Sequence, residues 1–541
     1  MVQNSVVAIS GAVASKLPTP ILLDPLLAGL KRYDPILRSQ LIVGFRSGVD
    51  IGYRGIPNSK TKVQNLKSAN EHPEVIEKYL SLELSKGRII GPFTTPPFSE
   101  FQINPLGVVP KKEPGKFRII NDLSSPAKKS VNDNIHKIFS EVQYASVIDA
   151  VELVFQYGQG CYMAKTDIEK AFRLLPVKPD QRHLLGITWN EKFYFDCCLP
   201  MGASSSCQLF ERFSTALEFI AVEQGISGIT HYLDDYLIAN SSFDLCLQDL
   251  QCFKVICQKL GVPLAPQKTM GPSQTITYLG FVFNTCDTTV SLPLDKVEKA
   301  KDLIGQVLGC KRPLVQLVMS LLGLLSFSCS VIRPGKVFLR RLYALIAGKP
   351  PHYSVRLKHE HKKDLHMWLD FLDTYNGVDF FADVLSHKGQ PFNLYTDASQ
   401  SLGCGGLLVN SWFSIPWPTE WWSQQNITFL ELVPIVLALE TWGHILSNKA
   451  VVLHTDNMSL VSIINNQTSK EPLVLCLLRR LVLFTLKLNI QISAVHIAGF
   501  RNLDADFLSR LQVPCFKKHH GTADEHPTVT HPLPPFLDSN P

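Results

Sequence analysis

The sequence predicts an α+β fold over its first half and a separate α/β unit beginning at residue 391. Three observations carry this. Short strand-like and helix-like runs alternate to about residue 285, and helical, basic-flanked segments follow to about residue 375. At Pro391 the pattern restarts with Phe392-Asn393-Leu394-Tyr395, a strand entering Thr396-Asp397, and alternates again to about Leu511. The expected divisions are an N-terminal extension at 1–70, a first folded region at 71–290, a helical region at 291–390, the α/β unit at 391–512 and a flexible tail at 513–541. The tail expectation rests on Pro514, Pro527, Pro532, Pro534, Pro535 and Pro541 scattered among histidines.

Composition narrows the class. A chain of 541 residues with 45% hydrophobic and 18% charged residues is globular and long enough for two to four cores. The net charge of +6 permits nucleic-acid binding without demanding it, so local clusters matter more. One runs through Lys111, Lys112, Lys116, Arg118, Lys128 and Lys129, and another through Lys296, Lys299, Lys301, Lys311 and Arg312. The 13 cysteines form no CxxC pair and no zinc-knuckle spacing, which reads as buried thiols in a reducing compartment. Met1–Ser15 has no basic residue ahead of its apolar stretch, so no secretory signal is expected. Leu314–Ile332 is the run that most resembles a membrane span, but Gln316 and four serines dilute it, and a buried helix is expected. These readings place the protein inside the cell, in cytoplasm or nucleus, with no membrane partner.

From Pro73 the elements follow in order. An amphipathic helix is expected at Val75–Lys86, then a Pro-rich turn near Pro92–Pro97, then strands. Cys161–Ile168 reads as a strand ending in Lys165-Thr166-Asp167, followed by a helix-like segment, Glu169–Leu175. Gly228–Leu233 and Tyr236–Ala239 read as two strands of a hairpin with Asp234 and Asp235 side by side at its tip. Adjacent carboxylates repel, and a hard divalent cation with open positions for phosphate relieves that repulsion. Asp167, at the end of a neighbouring strand, can reach the same ions.

Asp167 with Tyr232-Leu233-Asp234-Asp235 resembles the palm of a reverse transcriptase with its YxDD box. Val108–Ile120 resembles the fingers hairpin of that family. With a turn at Glu113–Lys116, Lys111 and Arg118 are expected as cross-strand neighbours that hold a triphosphate. Phe172 matches the family's steric gate, a ring that crowds a ribose 2′-hydroxyl. Leu199-Pro200-Met201-Gly202-Ala203-Ser204 resembles the turn that contacts template and nucleotide, with Met201 where retroviral enzymes usually carry Gln. Lys268 and Tyr278-Leu279-Gly280 resemble the later palm motif and primer grip.

In the second unit Asp397, Glu431, Asp456 and Asp506 come from four separate elements and resemble the catalytic set of a ribonuclease H, with His496 matching that family's mobile histidine. Asp504 competes with Asp506 for the last position, and the family's ADxLSR-like ending favours Asp506. Pro434 stands three residues past Glu431 in a helix expected at about Thr428–Trp442, where a late start would leave it near the first turns. His359, His361 and His366 read as a solvated helix face, and Trp412, Trp417, Trp421 and Trp422 as hairpin packing.

The resemblance implies an α+β polymerase right hand (fingers, palm, thumb) followed by an α/β ribonuclease H-like domain. It implies Mg²⁺, with Mn²⁺ as a substitute, bound by the seven acids. It also implies an RNA template, a DNA primer, deoxynucleoside triphosphates and an RNA–DNA hybrid as partners. The wording of Arg54-Gly55, Asn132-Asp133, Thr455-Asp456-Asn457, His496-Ile497-Ala498-Gly499 and Leu508-Ser509-Arg510 resembles the polymerases of DIRS-like, tyrosine-recombinase retroelements. A gypsy-type polymerase is the neighbouring reading. A decayed or domesticated copy that binds nucleic acid without turnover is the alternative from another class.

Overall fold

The computed structural model describes residues 17–57, 63–111, 115–374, 391–421 and 426–533. The chain divides between Leu279 and Gly280 into two compact units, ahead of the boundary expected at residue 290.

The first unit is built from strands β1 (Ile89–Phe93), β2 (Leu106–Pro110), β3 (Phe117–Asn121), β4 (Tyr162–Asp167), β5 (Gly186–Trp189), β6 (Lys192–Asp196), β7 (Ile229–Tyr232), β8 (Asp235–Asn240), β9 (Met270–Ser273) and β10 (Thr275–Tyr278). Its centre is a four-stranded sheet in the order β7-β8-β4-β9. Tyr236–Ala239 are fully buried, so β8 has no polar alternation to offer and needs cover on both faces. Helices Val147–Tyr157, Ser206–Glu223 and Phe243–Leu260 supply it. The helix expected from Val75 runs from Pro73 to Ser85, with Pro at its first position, where a missing N–H costs nothing. It packs on β1 of a second sheet, β1-β6-β5. The segment after β4 is a short 3₁₀ turn, Ala171–Leu174.

The second unit opens with the hairpin β11 (Phe281–Asn284) and β12 (Thr289–Ser291), then helices Leu294–Gly309, Val315–Ser328, Arg340–Ile346 and His359–Thr374. Its sheet joins β13 (Phe392–Ala398), β14 (Gly403–Leu408), β15 (Ser411–Pro416), β16 (Ala450–Thr455) and β17 (Gln491–His496) in the order β15-β14-β13-β16-β17. β13 is antiparallel to β14 and parallel to β16. Successive residues of β15 point to opposite faces: Trp412 meets Phe516 of the helix Val513–His519, and Phe413 meets Trp442 of the helix Ile427–Leu446.

Two expectations change here. Among the described residues Ile427–Leu446, not Leu314–Ile332, is the helix long and apolar enough to cross a membrane, and most of it is buried within this unit. The segment from 513 is not a loose tail as far as residue 533. It forms a helix and then returns along the start of β15, where the Asp524 amide donates to the Asn410 carbonyl and the Thr528 amide to the Trp412 carbonyl. The Trp412 indole and the Ser411 hydroxyl both donate to Asp524. Proline-rich composition hid a segment ordered by pairing with a sheet edge. Residues 534–541 and Trp422 lie outside the described residues.

Candidate active sites

In the first unit β4 and β8 are in register, so Asp167 stands directly across from Asp235. Tyr232 pairs with Asp235 around a two-residue turn, Leu233-Asp234. Asp235 is thus the first residue of β8, not a turn residue as expected. Leu233 takes the left-handed conformation (φ 54°) and is held there by Ser214, whose hydroxyl donates to the Leu233 carbonyl at 2.7 Å. The Ile168 amide donates to the Asp234 carbonyl, and the Tyr278 hydroxyl to the Asp235 carbonyl. The tip is therefore fixed by its neighbours on both sides.

Burial pushes the Asp235 carboxyl up to about 7, with Asp167 and Asp234 adding to the rise and Lys165 opposing it. Burial and then Asp167 also raise Asp234, against Lys268 and Arg118. Lys268 lies against the acids directly, with its ammonium 2.6 Å from Asp167. A cation stands where the three carboxylates would otherwise repel one another.

The residues expected on the nucleotide side lie on separate elements of the first unit. Arg118 on β3 pairs with Val109, and Lys111 pairs with Lys116 through a backbone hydrogen bond at 2.8 Å. Lys111 and Arg118 are therefore diagonal neighbours on one face and not directly opposed, because the pairing register sets the turn one residue earlier in the chain than expected. Residues 112–114 of that turn lie outside the described residues. Met201 is exposed. Gly202 abuts β3 so closely that a Cβ would stand 2.0 Å from the Asn121 carbonyl oxygen. Asn132 ties this turn down: its amide donates to the Gly202 carbonyl and its side-chain oxygen accepts from the Ser204 amide. Phe172 is half-buried, edge-on to Phe210 with ring centroids 5.4 Å apart.

The second unit gathers three acids more tightly. Among the described residues, Asp397, Glu431 and Asp456 each place a carboxylate oxygen within 4.8 Å of the others. Burial raises the Asp397 carboxyl to about 6, opposed by a 2.5 Å hydrogen bond from the Ser509 hydroxyl and reinforced by Asp456 and Asp506. Burial followed by Asp397 and Asp456 pushes Glu431 up to about 9. Glu431 comes from the helix Ile427–Leu446, capped by Asn426, which starts one residue before the expected Thr428 and carries Pro434 seven residues in. The ring removes one helical donor, but the Glu431 carboxylate still faces the cluster.

Asp506 lies outside this tight group, on the helix Leu503–Ser509, and pairs with Arg510 at 2.7 Å. Asp504 is engaged elsewhere, by His519 at 2.7 Å and His520 at 3.0 Å. That helix reaches the sheet because Gly405, the cross-strand partner of Asp397, has no side chain: a Cβ there would stand 2.3 Å from the Leu508 Cβ. His496 is exposed at the end of β17, opposite Thr455. Asp456 follows Thr455, and its carboxylate lies over Gly499.

Oxygen-only donors at this spacing, with the Asp397 and Glu431 carboxyls raised by burial and then by their acidic neighbours, fit a hard divalent cation.

Residues 109–283 match the family model described as reverse transcriptase (RNA-dependent DNA polymerase). The chain carries a reverse transcriptase domain. Over 350 residues the chain is 23% identical to the Pro-Pol polyprotein of feline foamy virus, which covers 58% of this chain and 28% of that one. Over 216 residues it is 29% identical to the Gag-Pro-Pol polyprotein of Simian retrovirus SRV-2, covering 37% of this chain and 11% of that one. The chain thus spans less than a third of the viral polyproteins it matches. Among solved structures, a foamy viral protease-reverse transcriptase (dRH) in complex with ds DNA superposes with a TM-score of 0.52 at 17% identity, covering 87% of this chain and 81% of that one. The likeness is one of fold.

Sequence reasoning did not single out the residues that brace these carboxylates and turns. Ser214 under the hairpin carries no signal beyond its residue type, and Asn132 under the Gly202 turn stood out only as part of the Asn132-Asp133 wording. In the second unit the same holds for Ser509 on Asp397, although its LSR context had drawn notice as wording.

Proposed function

We propose that the protein synthesises DNA on RNA or DNA templates by two-metal nucleotidyl transfer in its first unit. We further propose that its second unit degrades the RNA strand of RNA–DNA hybrids. The observation that carries the first activity is the register pairing of Asp167 with Asp235 beside Asp234 within a reverse transcriptase domain. The tight group of Asp397, Glu431 and Asp456, with Asp506 alongside, supports the second. Asp167, Asp234 and Asp235 would hold Mg²⁺ in the first unit, and Asp397, Glu431, Asp456 and Asp506 in the second. When bound, such ions polarise phosphoryl oxygens and activate the attacking hydroxyl or water.

The chain's own residues supply the rest. Lys268 holds the Asp167 carboxylate in place until an ion competes for it. Arg118 and Lys111 present cations on one face of the fingers hairpin, suited to a triphosphate. Phe172 is placed to exclude a 2′-hydroxyl, and Gly202 and Met201 form a turn open to template. His496, exposed beside Asp456, is placed to move a proton or help product leave. The motif wording supports a retroelement of the DIRS-like kind acting inside the cell.

The deciding experiment is primer extension on a primed RNA template with deoxynucleotides and Mg²⁺. Extension that disappears in Asp234→Asn is the expected result. Asp456→Asn is expected to abolish hybrid cleavage while sparing extension. Tight binding to the primed template with no extension would instead favour the decayed-copy reading.

A further inference from the structure

The first unit also buries a charged group to which Asp167, Asp234 and Asp235 do not belong. Glu83, on the helix Pro73–Ser85, is almost wholly buried, and its two carboxylate oxygens have different partners. One accepts from Arg88 at 2.7 Å and from Lys170 at 3.2 Å. The other accepts from both Nε and Nη2 of Arg173, at 3.1 and 3.0 Å. Arg173 extends its remaining nitrogen to Asp196 at 2.6 Å, and Asp196 is itself buried at the end of β6.

Lys170 and Arg173 flank the dipeptide Ala171-Phe172. A single carboxylate therefore pins both sides of the turn that carries the Phe172 ring. Lys170 is also held in the left-handed conformation (φ 53°), which a non-glycine residue adopts only when its surroundings enforce it. A buried ion group of this kind seldom repays its desolvation in stability, and its best-attested use is to fix one arrangement among several.

We propose that Glu83, through Lys170 and Arg173, is a positioning residue that sets the depth of the Phe172 ring and so tunes discrimination between deoxy- and ribonucleotides. The proposal rests on the polymerase reading and on Phe172 acting as the gate. Glu83 and Asp196 stand on elements far from residue 172 in sequence, on the helix Pro73–Ser85 and on β6. Selectivity is thereby tied to the packing of that helix and strand.

The test compares single-nucleotide incorporation of dNTP and rNTP by the full chain, wild type against Phe172→Val, Glu83→Gln and Lys170→Met, with thermal melts to confirm folding. Glu83→Gln is expected to lower the deoxy-over-ribo ratio of kcat/KM about tenfold, less than the roughly hundredfold that a misplacement of about 1 Å can cost. Lys170→Met, which strips one bond from a partly exposed residue, should move the ratio the same way by less, and it carries the test if Glu83→Gln does not fold. A role limited to stability would lower both incorporation rates and leave their ratio alone, and that result overturns the proposal. Wild-type protein that extends no primer removes the underlying reading. Extension with a ratio indifferent to Phe172→Val leaves polymerisation standing and overturns the gate and this proposal together.

Discussion

His231 on β7 lies between two acids of one helix, its Nδ1 2.5 Å from Glu218 and its Nε2 3.2 Å from Glu211, with Tyr236 stacked on its ring. Burial alone would lower its pKa, but the hydrogen bonds to Glu211 and Glu218 raise it to about 9. A histidine whose folded value exceeds its unfolded one near 6.5 stabilises the fold fully below 6.5, and that contribution is lost as pH rises through 9. Comparing Tm for wild type and His231→Gln from pH 6 to 9.5 should show a wild-type advantage at the acid end that shrinks at the alkaline end. An advantage independent of pH would mean the ring works by packing alone. Glu431 loses stability in the same pH direction for the opposite reason, because its charged form is the disfavoured one. Its carboxyl is raised without metal, so in chelator the fold loses stability as pH climbs from the carboxylate range toward 9. In EDTA at pH 8, Glu431→Gln is expected to melt a few degrees above wild type, with the gap closing toward pH 5, and Mg²⁺ should raise the Tm of wild type only.

At the scale of elements, the strands were the most legible part of the sequence, because a carboxylate at the end of an apolar strand is a strong signal. The reading Cys161–Ile168 became Tyr162–Asp167. What could not be read was register and depth. A one-residue difference in the fingers turn converts Lys111 and Arg118 from opposed to diagonal, and nothing in residues 108–120 specifies it. Pro434 stands seven residues into Ile427–Leu446, within one residue of the expected register, and tertiary packing overrides propensity there. Gly405 had no sequence signal, although the approach of the Leu503–Ser509 helix depends on it. Gly405→Ala must push that helix off β14, at about 1–3 kcal/mol of overpacking. It should depress hybrid cleavage far more than primer extension, and equal losses in both would show a global effect.

For the whole molecule, the two acid sites belong to two compact units that divide at Leu279 and Gly280. The order of motifs along the chain was legible, since each motif is local. The positioning residues were not, because Ser214, Asn132 and Glu83 act across long stretches of sequence. The return of residues 524–528 along β15 belongs to the same illegible class, and it has a consequence for the protein as a solute. An open strand edge is a template for another chain, and here the backbone groups at the start of β15 are already matched by the protein's own C-terminal segment. Cutting the chain after Gln512 would uncover Trp412 together with those groups. Sedimentation of the shortened protein should then show self-association that grows with concentration, while the full chain stays dispersed under the same conditions. The last described stretch would thus set how crowded a solution this molecule can tolerate.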